Sequence, residues 1–315
     1  MVHAKLLHER SDILAQEYRL EDAMALAQRH DDPIIRADYT HDQPLDRYTA
    51  EDHAVWRDLF RRQAALLPGR ACGEFLAGLQ GLGMAADGIP DFERLSDVLE
   101  KATGWRIVCV PGLVPDDIFF GHLAARRFPV TWWIRKRSQL DYLQEPDCFH
   151  DIYGHVPLLM NPVFADYMEA YGKGGLKAAG LNALNHLARL YWYTVEFGLI
   201  EQADGSLRIY GSGILSSKTE SVFCLDSAAP NRVRFDLMRV MRTRYRIDTF
   251  QKTYFVIRSF EELFDATRPD FTPLYAQLAG QPDFGAADIA PQDAVITRGS
   301  LDVGEGGWQA ATADA

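Results

Sequence analysis

Apolar residues recur at helical spacing along much of the chain and at strand spacing in only a few short runs. Val55, Trp56, Leu59, Phe60 and Ala64 fall on one face of a helix; Thr49, with Asp52 three residues on, starts it as a capping box, and Pro68-Gly69 ends it. A second helix begins near Asp91, carries Leu95, Val98 and Leu99, and stops at Gly104. Residues 106–110 read as a strand, 116–127 as a helix and 129–134 as an extended aromatic segment. The middle predicts helices over 163–171 and 181–199, with Gly172 to Gly175 as a flexible link. Residues 200–210 form a hairpin around Asp204-Gly205, 233–241 a helix and 253–257 a strand. Ser259 caps a last helix that Arg268-Pro269 terminates. The fold class is α+β, mainly α-helical: one catalytic-sized domain with small β-hairpin and strand elements. No alternating βαβ pattern and no G-x-G-x-x-G opening a helix is present, which excludes a nicotinamide-binding Rossmann domain.

Composition narrows this further. The 315 residues are 47% hydrophobic and 24% charged, with a formal charge of −11. Residues 1–50 carry ten acidic and six basic side chains, and residues 281–315 six and one, which leaves −2 for everything between. The chain therefore divides into an acidic arm over 1–47, a near-neutral catalytic unit over 48–280, and an acidic, mobile tail over 281–315 whose removal should leave the unit working. A nucleic-acid partner would require a basic surplus that the body lacks. The first residues contain no signal-peptide core, and the longest apolar stretch, 190–200, is about half a membrane span and includes Glu196. The four cysteines (Cys72, Cys109, Cys148, Cys224) form no C-x-x-C pair, as expected of a reduced cytoplasmic protein.

The candidate chemistry lies in Glu145-Pro-Asp-Cys-Phe-His150-Asp-Ile-Tyr-Gly-His155-Val-Pro157. On an α-helix a five-residue step turns the chain by about 500°, ~140° net, so the two imidazoles would diverge. They converge only if His150 stands at or before a helix start. The spacing also differs from H-E-x-x-H, where both rings share one face. Glu196 adds a third group: it lies in an apolar, aromatic stretch, where a carboxylate must be paired, protonated or bound to a cation. Two imidazoles and a carboxylate with open positions are the facial triad of non-haem Fe(II) oxygenases, although a zinc hydrolase can use the same ligands.

Three segments carry a resemblance. Residues 146–158 (PDCFHDIYGHVPL), 191–199 (YWYTVEFGL) and 210–217 (YGSGILSS) resemble the pterin-dependent aromatic amino acid hydroxylases, in the same order and at the family's spacing, within a match from about Asp91 to Pro269. Within that family the chain is most similar to the short bacterial phenylalanine 4-monooxygenases. The resemblance implies Fe(II) held by His150, His155 and Glu196, with tetrahydropterin and O2 as co-substrates. It further implies pterin binding by Gly112, Val114, Phe119, Tyr191 and Asp151. Arg135 would hold the substrate carboxylate with help from Ser216, and Pro146, Trp192 and Phe197 would wall the substrate ring. Three positions depart from the family pattern: Asp151 stands where animal members have glutamate, Ser212 where alanine is common, and Leu143 where animal members have a threonine that aids carboxylate binding.

Ile247 matches a position that is apolar in phenylalanine hydroxylases and acidic in tyrosine hydroxylases. An apolar side chain offers a phenol hydroxyl no partner, which favours L-phenylalanine over tyrosine. Hydroxylation of tryptophan or tyrosine, a zinc-dependent hydrolase and a non-catalytic relative are the competing readings. No C-terminal heptad helix follows the domain, as expected of a monomer.

Overall fold

The computed structural model describes residues 35–112, 114–141, 145–247 and 249–300. Helix α1 (Ala50–Leu66) opens on the expected capping box: the Thr49 side chain accepts from the Asp52 N–H, and the Asp52 carboxylate accepts from that of Thr49. A short helix, α2 (Gly73–Gly81), follows. Helix α3 (Phe92–Thr103) is capped by the Asp91 carboxylate and stopped at Gly104, whose φ of 76° needs no Cβ. These helices bury Trp56, Leu59, Phe75, Leu95 and Leu99 in the core.

Strands β1 (Arg106–Val110) and β2 (Arg127–Thr131) pair in parallel across helix α4 (Asp116–Ala124). The strand, helix and extended segment expected here are all present, with β2 starting two residues earlier than the extended segment read from sequence; their parallel pairing makes a small βαβ unit, a tertiary contact that local pattern does not carry.

Helix α5 (Pro162–Gly180) runs unbroken through the glycines expected to form a link. A Cβ on Gly172 would lie 2.4 Å from the Ala124 nitrogen, and one on Gly175 2.0 Å from a Phe120 ring carbon. These glycines are where α4 lies against α5, so backbone proximity rather than flexibility explains them. Helix α6 (Leu184–Tyr191) ends in the π-helical turn Trp192–Glu196, and the chain enters the expected hairpin of β3 (Leu199–Glu201) and β4 (Leu207–Ile209).

Beyond the hairpin come α7 (Ser212–Leu215), α8 (Lys218–Asp226), β5 (Asn231–Arg234), α9 (Leu237–Met241), β6 (Thr253–Ile257), α10 (Phe260–Thr267), α11 (Thr272–Leu278) and β7 (Val295–Thr297). A five-stranded sheet runs β4-β3-β6-β5-β7, with β6 parallel to both its neighbours. The helix expected over 233–241 is therefore split. Val233 sits opposite Phe255 in the sheet, and helix begins only after Asp236, whose carboxylate caps it.

Both ends of the described chain are anchored. The His41 N–H donates to the Cys109 carbonyl, and the Gln43 side chain bridges the Pro90 carbonyl and the Phe92 N–H. Residues 281–300, expected to begin the mobile tail, add β7 to the sheet and supply Asp283 to the buried Arg189 and Asp293 to the buried Arg239. Polar anchors hold this stretch, which is why apolar periodicity does not reveal it. The remainder of the arm and of the tail lies outside the described residues. Among those described, no helix is long and apolar enough to cross a membrane.

Candidate metal centre and active site

His150 and His155 bound a second π-helical turn, His150–His155, which passes into a 3-10 turn, Val156–Met160. A wider turn closed between residues five apart returns both rings to one face. The expected divergence assumed 3.6 residues per turn; the π turn removes it, without His150 having to precede a helix. Glu196 ends the other π-helical turn, so all three candidate ligands stand on this rare geometry.

The three groups meet. His155 Nε2 lies 3.1 Å from His150 Nε2. Glu196 places Oε1 3.3 Å from His155 Nε2 and Oε2 3.7 Å from His150 Nε2. Ligand atoms about 2.1 Å from one ion at right angles stand about 3 Å apart, so the triad fits one face of an octahedral ion and leaves the opposite face for reactants. All three residues are buried. Burial holds the His150 imidazole well below its ordinary pKa, which leaves it neutral and able to bind a cation. Glu196 is buried as well, and its two carboxylate oxygens face the two imidazoles.

Neighbouring groups orient the ligands. Ser216 Oγ donates its one hydrogen to the Ser212 carbonyl at 2.8 Å and therefore accepts from His150 Nδ1 at 2.8 Å. That bond puts the His150 proton on Nδ1 and leaves Nε2 bare toward the centre. Ser212 Oγ donates toward Glu196 Oε2 and the Val195 carbonyl, each at 3.0 Å. The serine at this departure from the family pattern thus adds a hydrogen bond to the carboxylate.

Arg135 is buried against Asp147, with Nε and one Nη on the two carboxylate oxygens at 2.8 and 2.9 Å. Asp147 also accepts the N–H groups of Arg135 at 2.8 Å and His150 at 3.1 Å. Burial works against its charge, but the guanidinium and these N–H groups hold its carboxyl below the ordinary value. Sequence reasoning passed over Asp147. The available signal was an aspartate three residues before His150, the spacing at which a side chain caps a helical turn.

On another side, Tyr191 stacks near His155, with centroids 6.3 Å apart, and meets Phe119 edge-on at 6.1 Å. Asp151 is buried, its Oδ2 accepting from the Thr131 N–H at 2.8 Å, and burial pushes its carboxyl up to about 7. Val114 is buried, and Gly112 stands in the same β1–α4 connection with nothing within 4 Å of a would-be Cβ. Trp192 stacks on Tyr245 at 4.4 Å and meets Phe197 at a tilt, with centroids 4.6 Å apart, while Pro146 is buried and Ile247 packs against the core. Leu143 lies outside the described residues. Tyr245 and Gln251, whose amide oxygen accepts from Trp192 Nε1, were not singled out from sequence.

A buried cluster of two histidines and one glutamate, set among aromatic side chains in a mainly helical domain, has the donor set of a non-haem metalloenzyme. Comparison with known proteins narrows the class: residues 3–273 match the family described as biopterin-dependent aromatic amino acid hydroxylase, and the chain belongs to that family. The phenylalanine-4-hydroxylase of Ralstonia nicotianae is 67% identical over 284 residues, covering 90% of this chain and 89% of that one. Its counterpart from Chromobacterium violaceum is 69% identical over 262 residues, covering 83% and 88%. The iron- and phenylalanine-bound crystal structure of the latter superposes with a TM-score of 0.82 at 64% identity, covering 87% of this chain and 99% of that one.

Proposed function

We propose that this protein is a phenylalanine 4-monooxygenase, which converts L-phenylalanine to L-tyrosine with O2 and a tetrahydropterin at Fe(II) held by His150, His155 and Glu196. The observation that carries the reading is the triad: three buried donors 3.1–3.7 Å apart, with spacing and chemistry suited to one face of an octahedral ion. Its ligand set admits iron or zinc; the iron-bound relative favours iron. When bound, iron and tetrahydropterin supply the electrons that split O2, one oxygen atom passing to the substrate ring and the other to the pterin.

The chain's own residues position and shield. Ser216 keeps His150 in the tautomer that presents a bare Nε2. Asp147 fixes the Arg135 guanidinium plane, and Arg135 offers its remaining N–H groups to the substrate carboxylate. In the geometry described, the Ser216 hydroxyl hydrogen is committed to the Ser212 carbonyl, so helping at the carboxylate would require it to turn. Pro146, Trp192 and Phe197 wall the substrate ring and keep water from it. Ile247 gives a tyrosine hydroxyl no partner, which favours phenylalanine. Phe119, Tyr191, Val114, Gly112 and Asp151 surround the pterin; Asp151 is shorter than glutamate by about one methylene, so water completes its contact.

We further infer a cytoplasmic monomer that engages neither nucleic acid nor membrane. Four free, buried cysteines and a near-neutral body support this. Light scattering during gel filtration tests the monomer. For the activity, aerobic turnover of phenylalanine with tetrahydropterin, with and without added Fe(II), is followed as tyrosine. Tyrosine formation that requires both is expected; hydrolysis without O2 or pterin would replace the reading with a zinc hydrolase.

A further inference from the structure

Trp192 is fully buried at the start of the turn that ends in Glu196, and its only polar atom, Nε1, donates to Gln251 Oε1 at 2.8 Å. Gln251 is itself buried, and its Nε2 donates to the carbonyls of Arg246 at 3.2 Å and Thr249 at 3.4 Å, one on either side of Ile247. The indole can only donate and the two carbonyls can only accept, so the amide orientation is fixed by its partners. Its backbone N–H donates to Glu220 Oε1 at 3.3 Å, and that oxygen also takes the Tyr254 hydroxyl. One side chain therefore ties together two parts of the chain. One is the indole on the turn of the proposed metal ligand; the other is the segment between α9 and β6, which carries Ile247.

Resting on the proposed activity, we propose that Gln251 is a positioning residue for aromatic-substrate selectivity: it fixes the separation between the Trp192 indole and Ile247, and so the width of the slot that receives the substrate ring. Tyr245 belongs to the same unit, since it stacks on Trp192 with ring planes 13° apart and is carried by that segment. Without the amide, the indole N–H is left buried without its acceptor and two segment carbonyls lose a donor, so both walls can shift. A small planar ring then loses its fit, while a bulkier indole substrate gains room.

The test compares wild type, Gln251→Leu and Gln251→Glu. The glutamate keeps an acceptor for Trp192 but replaces the two segment-facing donors, so it separates the indole bond from the segment bonds. Measured are bound iron, kcat and KM for phenylalanine and tryptophan, and hydrogen exchange over residues 242–252. Both variants are expected to bind iron as wild type does and to exchange faster in this segment. Their phenylalanine-to-tryptophan ratio of kcat/KM should fall about tenfold, mainly through KM for phenylalanine. An unchanged ratio with unchanged exchange overturns the proposal, as does an equal loss for both substrates at constant KM. If Gln251→Leu fails to fold, Gln251→Glu decides on the same criteria. Wild-type protein that forms no tyrosine would defeat the monooxygenase reading instead, and segment exchange would still report on the clamp.

Discussion

Replacing Glu220 by glutamine tests the buried polar layer behind the site. Glu220 lies in α8, fully buried; burial raises its carboxyl to about 7 from an ordinary 4.5, against the opposing effect of the Tyr254 hydroxyl and the Gln251 N–H that it accepts. In the unfolded chain the group ionises near 4.5, whereas the fold holds its proton up to about 7. Between these values the folded state binds more protons than the unfolded one, so this stabilisation is complete below about 4.5, falls as pH rises, and is gone above about 7. At about 1.4 kcal/mol per tenfold change, the loss is about 3 kcal/mol. Glutamine has no charge to lose, and its amide oxygen can accept the same two hydrogen bonds. Glu220→Gln should therefore lie within about 1 kcal/mol of wild type near pH 5 and exceed it at pH 8 by up to about 3 kcal/mol, a rise in Tm of about 5 °C or more. Denaturant melts of both proteins at equal iron loading, at the two pH values, give the difference directly. A stability difference independent of pH, or a variant weaker than wild type at pH 8, would show that the fold does not hold the Glu220 proton above its ordinary range and would refute this reasoning.

Two further outcomes are expected. Ser216→Ala removes the acceptor that keeps the His150 proton on Nδ1, and should weaken iron binding by about 10- to 100-fold in chelator competition; unchanged affinity would mean that the tautomer is set elsewhere. Truncation after Ser300 should leave the melting temperature and tyrosine formation unchanged. Truncation after Gly280 strips the carboxylates from buried Arg189 and Arg239 and should cost about 3–5 kcal/mol for each broken pair, measured by thermal melts; equal melting of the two truncations would contradict the anchoring role of residues 281–300.

The three candidate ligands could be picked out in the sequence, but their convergence could not. His150 and His155 diverge on an α-helix, and only the π turn brings them together; apolar periodicity carries no signal for an i→i+5 closure. Some helix ends set by a side chain or a glycine were read well, as at Thr49, Asp91 and Gly104, whereas the caps at Ser217 and Asp236 were not. The glycines at 172 and 175 were misread because helix–helix proximity and flexibility select the same residue. Val233 was assigned to a helix because strand pairing with β6 is a tertiary fact, invisible to local pattern. Asp147 and Gln251 escaped notice because their importance lies in what they hold, and those partners are known only once the chain is folded.

The most direct test of the central claim is turnover under ¹⁸O2 with Fe(II), tetrahydropterin and L-phenylalanine, with the product analysed by mass. The account predicts tyrosine carrying one ¹⁸O atom from the wild-type protein, and none from Glu196→Ala. Tyrosine labelled from water, or no tyrosine with any metal, would contradict it.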